Sequence, residues 1–393
     1  MPYLINLIMF SEQEKDKFRN WATPFFYYDL NLLGQTLESI NREIKGLPYK
    51  VHYAIKANTN PIILKEIKKY QFGIDCVSGN EVKHAIKEGF EPKHIAFAGV
   101  GKTDEEIIFG IENEIFTFNV ESIAELKVIN EIAESLNKKA PIAIRFNPNV
   151  NAKTHKYITT GLEENKFGLN YWELDSLFQL LEELKFIQLK GIHFHIGSQI
   201  TDLSVYQSLC NRVNELQKIF LDRGYSLDHI NVGGGLGVDY NNPDENSIPN
   251  FKDFFSIFKS FIELQEGQSL HFELGRAIVA QCGSLISKAL YVKEGIKTNF
   301  LIIDAGMTEL IRPALYQSFH KIENITSNSK ERVKYDVVGP ICESSDCFGK
   351  EVDLPLSERG DLIAIRTTGA YGEVMSSSYN LREKAKAYYN EDI

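Results

Sequence analysis

Four places in this chain carry residues whose type and spacing could do chemistry. The first is Lys56, at the end of Val51-His52-Tyr53-Ala54-Ile55-Lys56. Strand alternation puts Val51, Tyr53 and Ile55 on one face and His52, Ala54 and Lys56 on the other. Either the lysine head runs out to water along its aliphatic stem, or burial lowers its pKa so that its amine condenses with a carbonyl compound. The second is Asn231-Val232-Gly233-Gly234-Gly235-Leu236-Gly237, with four glycines in five positions. Such a backbone can close on an anion and offer it N–H groups, or simply be a flexible turn. Its spacing is neither a Walker loop nor a dinucleotide fingerprint. The third, His193-Phe194-His195, allows three readings: a zinc pair lacking nearby carboxylates or thiols, core histidines, or an imidazole packed on a ligand. Gly197-Ser198 lies beside it. The fourth is Glu273, ahead of Leu274-Gly275-Arg276. A carboxylate in a core must be paired. It is either in an internal salt bridge, with Arg145 the candidate, or placed to hold a proton on a ring nitrogen.

An imine-forming lysine, a phosphate cradle, a stacking imidazole and a carboxylate together suit pyridoxal 5'-phosphate. That cofactor needs a lysine for its aldehyde and a partner for its pyridine nitrogen. No metal is expected.

The elements that must position these groups alternate regularly. Strands are expected near 51–55, 73–77, 95–98, 115–119, 142–147, 189–196, 230–232 and 270–274, with seven helices between them. Eight such strands close a (β/α)8 TIM-type barrel; an open doubly wound sheet is the other arrangement. One face of several strands is small or polar: Gly73 and Asp75; Ala143, Arg145 and Asn147; Gly191, His193 and His195; His271 and Glu273. These faces should point into the barrel, with the polar groups crowding the carboxyl ends, where barrel active sites lie. After about residue 277 short strands broken by Gly, Pro, Asn and Ser read as an antiparallel β domain. The expected division is a segment 1–25 joining the β domain, a barrel over 26–276 and the β domain over 277–393. Residues 1–25 read as a short strand (Tyr3 to Phe10) and a linker.

The chain has 393 residues, 43% hydrophobic and 24% charged, with a net charge of -10. That balance argues against nucleic acid as a partner. No apolar run reaches the ~18 residues of a membrane span. Five scattered cysteines suit a reducing compartment. Tyr3 to Phe10 lacks the flanks of a signal peptide. The expected location is the cytoplasm, with no membrane partner.

Several longer motifs now carry a resemblance. They are Tyr53-Ala54-Ile55-Lys56-Ala57-Asn58, Asp75-Cys76-Val77-Ser78-Gly79, His193 to Gln199, Val232 to Gly237, Asp304-Ala305-Gly306-Met307, Arg312-Pro313-Ala314-Leu315-Tyr316, Gly339 to Ser344 and Gly369-Ala370-Tyr371-Gly372. From about Thr23 to Asn380 the chain resembles the diaminopimelate decarboxylases. They are a branch of the barrel-type pyridoxal-phosphate decarboxylases, which also include the ornithine and arginine enzymes. The resemblance implies that Lys56 carries the cofactor, that His195 stacks on its ring and that Glu273 keeps its pyridine nitrogen protonated. Asp75, Ser198, Gly233, Gly234, Gly235, Gly275, Arg276 and Tyr371 would be further cofactor contacts. It also implies a homodimer with shared active sites, Cys342 and Glu343 entering from the partner. Cys342 would aid protonation at the substrate Cα; otherwise it is a small buried hydrophobe. The family's Glu-Pro-Gly-Arg is Glu273-Leu274-Gly275-Arg276 here, a change expected to matter little because residue 274 faces away from Glu273.

The implied reaction is decarboxylation of meso-2,6-diaminopimelate to L-lysine. Its far end carries a carboxylate and an ammonium. Arg276, Arg312, Tyr316 and Tyr371 would serve the carboxylate, and Glu343 the ammonium; alternatively Arg312 and Glu343 form an interface salt bridge. Lys153-Thr154-His155 to Thr159-Thr160-Gly161 also looks like the diaminopimelate branch. The alternatives are a decarboxylase of ornithine, lysine or arginine, or a non-catalytic cofactor-binding relative.

Overall fold

The computed structural model describes residues 10–150 and 166–393. The expectations for Tyr3 to Met9 and for the stretch from Lys153 to Asn165 fall outside the described residues. The chain forms two compact units. One comprises Leu37–Gly237 and Asn250–Gly275, the other Met1–Thr36, Val238–Pro249 and Arg276–Ile393. Against a single barrel span of 26–276, the stretches 26–36 and 238–249 therefore cluster with the β unit.

The first strand, β1 (Phe25–Tyr28), belongs to the β unit. The barrel follows: β2 (Tyr49–Ala54), β3 (Gly73–Cys76), β4 (Ile95–Phe97), β5 (Thr117–Val120), β6 (Ala140–Phe146), β7 (Ile187–Phe194), β8 (His229–Asn231) and β9 (Ser269–Leu274). These eight strands close on themselves in sequence order, each pair parallel. This is the expected TIM-type barrel, with seven α-helices between the strands among the described residues. The strands β3, β4 and β5 are buried at every residue, as both faces of a parallel sheet covered by helices should be. The helices start where the sequence signals a start. Asn60 caps Pro61–Lys68, Ser78 caps Gly79–Lys87, and Thr103 with Glu106 makes a capping box on Asp104–Glu112.

One expectation about Lys56 is corrected. The strand ends at Ala54, and Ile55–Ala57 is a 3-10 turn. Lys56 thus sits just past the strand, on a turn closed by the Asn58 N–H donating to the Ile55 carbonyl at 3.1 Å. Its direction is set by that turn and not by strand alternation.

The β unit holds β10 (Gly283–Lys293), β11 (Asn299–Ile303), β12 (Ile322–Asn324), β13 (Arg332–Val338), β14 (Cys347–Pro355), β15 (Leu362–Ile365) and β16 (Lys386–Tyr389). Pairing is mostly antiparallel, with parallel pairs at β1–β16 and β11–β13. The described part of the N-terminal segment is not a linker. Glu12–Asn20 is a helix with a Ser11–Glu14 capping box. Its Phe18 packs with Phe10, Phe25, Tyr27 and Ile286 in one apolar cluster, and Trp21 stacks on Tyr388 at 4.1 Å. That aromatic packing is the reason the segment belongs to the β unit.

Candidate active site

The barrel interior is filled by polar side chains in layers. His52 on β2 and His271 on β9 share a hydrogen bond of 2.8 Å. Phe116 stacks on His271 at 5.2 Å and lies 4.9 Å from His229. Burial pushes His52 down to about 4 and His229 down to about 3, and holds His271 well below the usual imidazole value. This layer is uncharged.

Two residues further along β9, Glu273 lies one layer nearer the carboxyl ends of the strands. Asn231 Nδ2 donates to it at 2.8 Å, Asn119 Nδ2 at 3.3 Å, and His193 Nε2 stands 3.0 Å away. These partners come from β8, β5 and β7, so the contact reaches across the barrel interior. Burial alone would raise the Glu273 carboxyl, but His193, its hydrogen bond and Lys56 outweigh it and hold the group well below the usual carboxylate range. The alternative of a salt bridge between Glu273 and Arg145 is not the one formed. Arg145 Nη1 pairs with Glu121 at 2.8 Å, and Glu273 takes His193 because both stand on the inward face at one level. Asn119 is a site residue that sequence reasoning misses, and Asn231 stands out in the sequence only as part of the glycine loop.

Lys56 Nζ stands 3.3 Å from Asp75 Oδ2, with the lysine side chain 36% exposed and Asp75 fully buried. Burial, then the neighbouring Glu273, push Asp75 up to about 8, with Lys56 opposing. Asp75 Oδ1 has no hydrogen-bond partner among the described residues. His195 is half-buried beside this pair, and desolvation together with Arg145 and Lys56 holds it neutral. Lys56, Asp75, His193, His195 and Glu273 thus converge at one end of one barrel.

The glycine loop follows β8 and its geometry is tight. A side chain at Gly234 would meet the Glu273 carbonyl at 1.7 Å, and one at Gly233 the Phe194 carbonyl at 2.3 Å. Gly233 and Gly235 take φ of +69° and +97°, a region favouring glycine. The Gly233 N–H donates to Asn231 Oδ1 at 2.9 Å and the Gly234 N–H to His195 Nδ1 at 3.4 Å. So two of the three glycines are required first by close packing on β7 and β9. Ile200 stitches the loop to the segment holding the half-buried Ser198, through Gly235 O at 2.8 Å and Gly237 N–H at 2.9 Å. Gly275 closes on Ala54 and Ala57, each 3.1 Å from where a Cβ would stand.

The remaining predicted residues lie in the β unit. Arg276 and Arg312 are buried and both donate to the Tyr240 phenol oxygen, at 2.6 and 2.7 Å. The Arg276 guanidinium lies 4.9 Å from the Tyr371 ring centre. Arg312 and Tyr316 bound one short helix, Arg312–Tyr316. Tyr240 was not foreseen. Cys342 and Glu343 are exposed, so Cys342 is not a buried hydrophobe; Glu343 accepts from Tyr379 Oη at 2.9 Å. Among the described residues no helix is long and apolar enough to cross a membrane.

The barrel residues fit pyridoxal phosphate. A partly exposed amine stands 3.3 Å from Asp75 and acts on the Glu273 carboxyl, which is held well below the usual range, and Asp75 Oδ1 has no hydrogen-bond partner among the described residues. Comparison with known proteins points the same way. The family model "Pyridoxal-dependent decarboxylase, pyridoxal binding domain" matches residues 32–280. A diaminopimelate decarboxylase of Bacteroides thetaiotaomicron is 56% identical over 379 residues, 96% of this chain and 98% of the relative. The crystal structure of a diaminopimelate decarboxylase mutant from Helicobacter pylori, complexed with L-lysine, superposes with a TM-score of 0.91 at 41% identity, covering 96% of this chain and 94% of that one. A lysine/ornithine decarboxylase from Vibrio vulnificus, complexed with putrescine, shares the fold at 19% identity and a TM-score of 0.83.

Proposed function

The chain belongs to the pyridoxal-dependent decarboxylases and stands among the diaminopimelate decarboxylases; from that premise we propose that it converts meso-2,6-diaminopimelate to L-lysine and carbon dioxide. The observation that carries this reading is Lys56 held at 3.3 Å from Asp75 at the barrel end where Glu273 is kept ionised.

Lys56 would hold the cofactor's carbonyl carbon. Glu273 would hold a proton at its pyridine nitrogen, since its oxygens are already oriented by His193, Asn119 and Asn231. His195 would lie on the ring, and Ser198 with the Gly233–Gly235 turn would take the phosphate. Burial and the neighbouring Glu273 push the Asp75 carboxyl upward, which weakens the negative charge it sets against the lysine. When bound, pyridoxal phosphate takes up the electron pair left by the departing carboxyl group. The β unit supplies two buried guanidiniums and two phenols, Arg276, Arg312, Tyr316 and Tyr371, the donor class that a distal carboxylate needs.

The working form would be a homodimer. Cys342 and Glu343 are exposed on their own chain, as groups lent to a partner's site must be, with Cys342 delivering the proton to Cα and Glu343 meeting the distal ammonium. The test is to incubate protein, pyridoxal phosphate and meso-diaminopimelate and measure lysine, with ornithine and arginine in parallel. Lysine is expected from diaminopimelate. A Lys56→Ala variant should lose at least about 1,000-fold in rate together with the bound cofactor's visible absorbance. Carbon dioxide from ornithine alone would overturn the substrate assignment.

A further inference from the structure

We propose that Tyr240 is a positioning residue for the substrate's distal carboxylate: its phenol oxygen clamps Arg276 and Arg312 onto one anion-sized spot. This rests on the decarboxylase reading for its substrate, but the geometry is independent of it. Tyr240 is 8% exposed, and its oxygen accepts from Arg276 Nη1 at 2.6 Å and from Arg312 Nη1 at 2.7 Å. Two buried guanidiniums repel one another unless something electron-rich stands between them, and here that something is a phenol oxygen. Among the described residues Arg312 makes no ion pair with a carboxylate. Its other partner is His320 Nε2 at 3.3 Å. The other nitrogen of His320 stands 2.9 Å from the Arg366 carbonyl, so Nδ1 carries the proton and Nε2 accepts. With Nη1 taken up by Tyr240 and His320, the Nε and Nη2 donors of Arg312 are the pair left to bind a carboxylate in a fork.

The stretch that carries Tyr240 is tied within the β unit by Asp244, which pairs with Arg366 at 2.7 Å and with Lys321 at 3.2 Å. The charged or titratable groups facing Tyr240 are Arg276, Arg312 and His320, with Tyr371 and Tyr316 acting on Arg276. Burial would raise the phenol, but the two guanidiniums more than offset it and hold it below the ordinary value.

The test uses the full-length enzyme and a Tyr240→Phe variant, which keeps the ring and removes the shared oxygen. With pyridoxal phosphate bound, KM for meso-diaminopimelate should rise about tenfold while kcat stays within about threefold. In cofactor-free protein, alkaline titration of the phenolate absorbance should show a step below the ordinary tyrosine range that the variant lacks. A KM unchanged within about twofold, or titrations that coincide, overturns the proposal. Should Tyr240→Phe fail to fold, Arg312→Lys serves: the step should move to higher pH, and an unmoved step overturns the clamp. If wild-type protein makes no lysine, the decarboxylase reading fails while the titration still decides the clamp.

Discussion

Two polar layers fill the same barrel, and they are built for opposite electrostatic ends. In the lower one, His52, His229 and His271 surround Phe116 with no carboxylate among their hydrogen-bond partners in the described residues. In the upper one, Glu273 gathers His193, Asn119 and Asn231, and Lys56 leans on Asp75. His271 and Glu273 are two residues apart on one strand and equally buried. Burial strips charge from a group that lacks partners for its charged form; the histidines, with no carboxylate hydrogen-bonded to them, lose theirs, while Glu273 keeps its own because His193, its hydrogen bond and Lys56 outweigh burial. Alternation decides which side chains enter the barrel, and the neighbours on other strands decide which stay charged.

The strongest way to break that contrast is Glu273→Gln, which keeps the shape and removes the charge. If the upper layer exists to sustain an ionised carboxylate, kcat should fall by about 100-fold or more, with the cofactor absorbance retained because Lys56 is intact. A fall under about fivefold would put Glu273 in the same filling role as the histidines.

The lower layer gives the next effect, in stability and not in rate. His229 has no hydrogen-bond partner for either ring nitrogen among the described residues, and its folded value lies at about 3, below the ~6.5 of an unfolded chain. Between those values the unfolded chain binds the proton and the folded one does not. Stability contributed by the neutral ring is complete above about pH 6.5 and is lost as pH falls toward 3. At pH 4.5 the loss from His229 is roughly 2–3 kcal/mol. Denaturant melts of His229→Leu should match wild type near pH 7.5 and fall less steeply on acidification, with kcat within about twofold. Equal acid sensitivity in the two proteins would mean that the layer carries charge after all.

How much of this was legible in the sequence follows from which contacts are local. The eight-strand alternation, the inward face of β9 and the glycine loop each repeat within a few residues, and they were readable. The Asn119–Glu273 contact joins strands far apart in sequence, so neither residue announces the other. Nothing in Ala54-Ile55-Lys56-Ala57 marks a 3-10 turn, so alternation alone puts Lys56 on a strand face. Glu12–Asn20 buries only Phe18, so it has no apolar stripe, and its one sequence signal is the Ser11–Glu14 box. Tyr240 follows a conspicuous glycine loop and looks like any tyrosine until both arginines are placed around it.

The smallest effect comes from the outer face of the strand that carries both layers. Leu274 is the last registered residue of β9, opposite Tyr53, and is 1% exposed. Its side chain faces away from the interior that holds His271 and Glu273, so it should matter to neither layer. Leu274→Pro restores the residue the related enzymes usually carry. It removes about one methylene of buried volume, worth about 0.8 kcal/mol. It also stiffens the unfolded chain, which returns about 0.4–1 kcal/mol where the backbone accepts proline. The two nearly cancel, so stability should stay within about 1 kcal/mol of wild type, and kcat within about twofold. The check is a thermal melt beside steady-state kinetics. A tenfold loss of kcat at unchanged stability would show that the aim of Glu273 depends on the backbone at 274, and that the inner and outer faces of this strand are not separable.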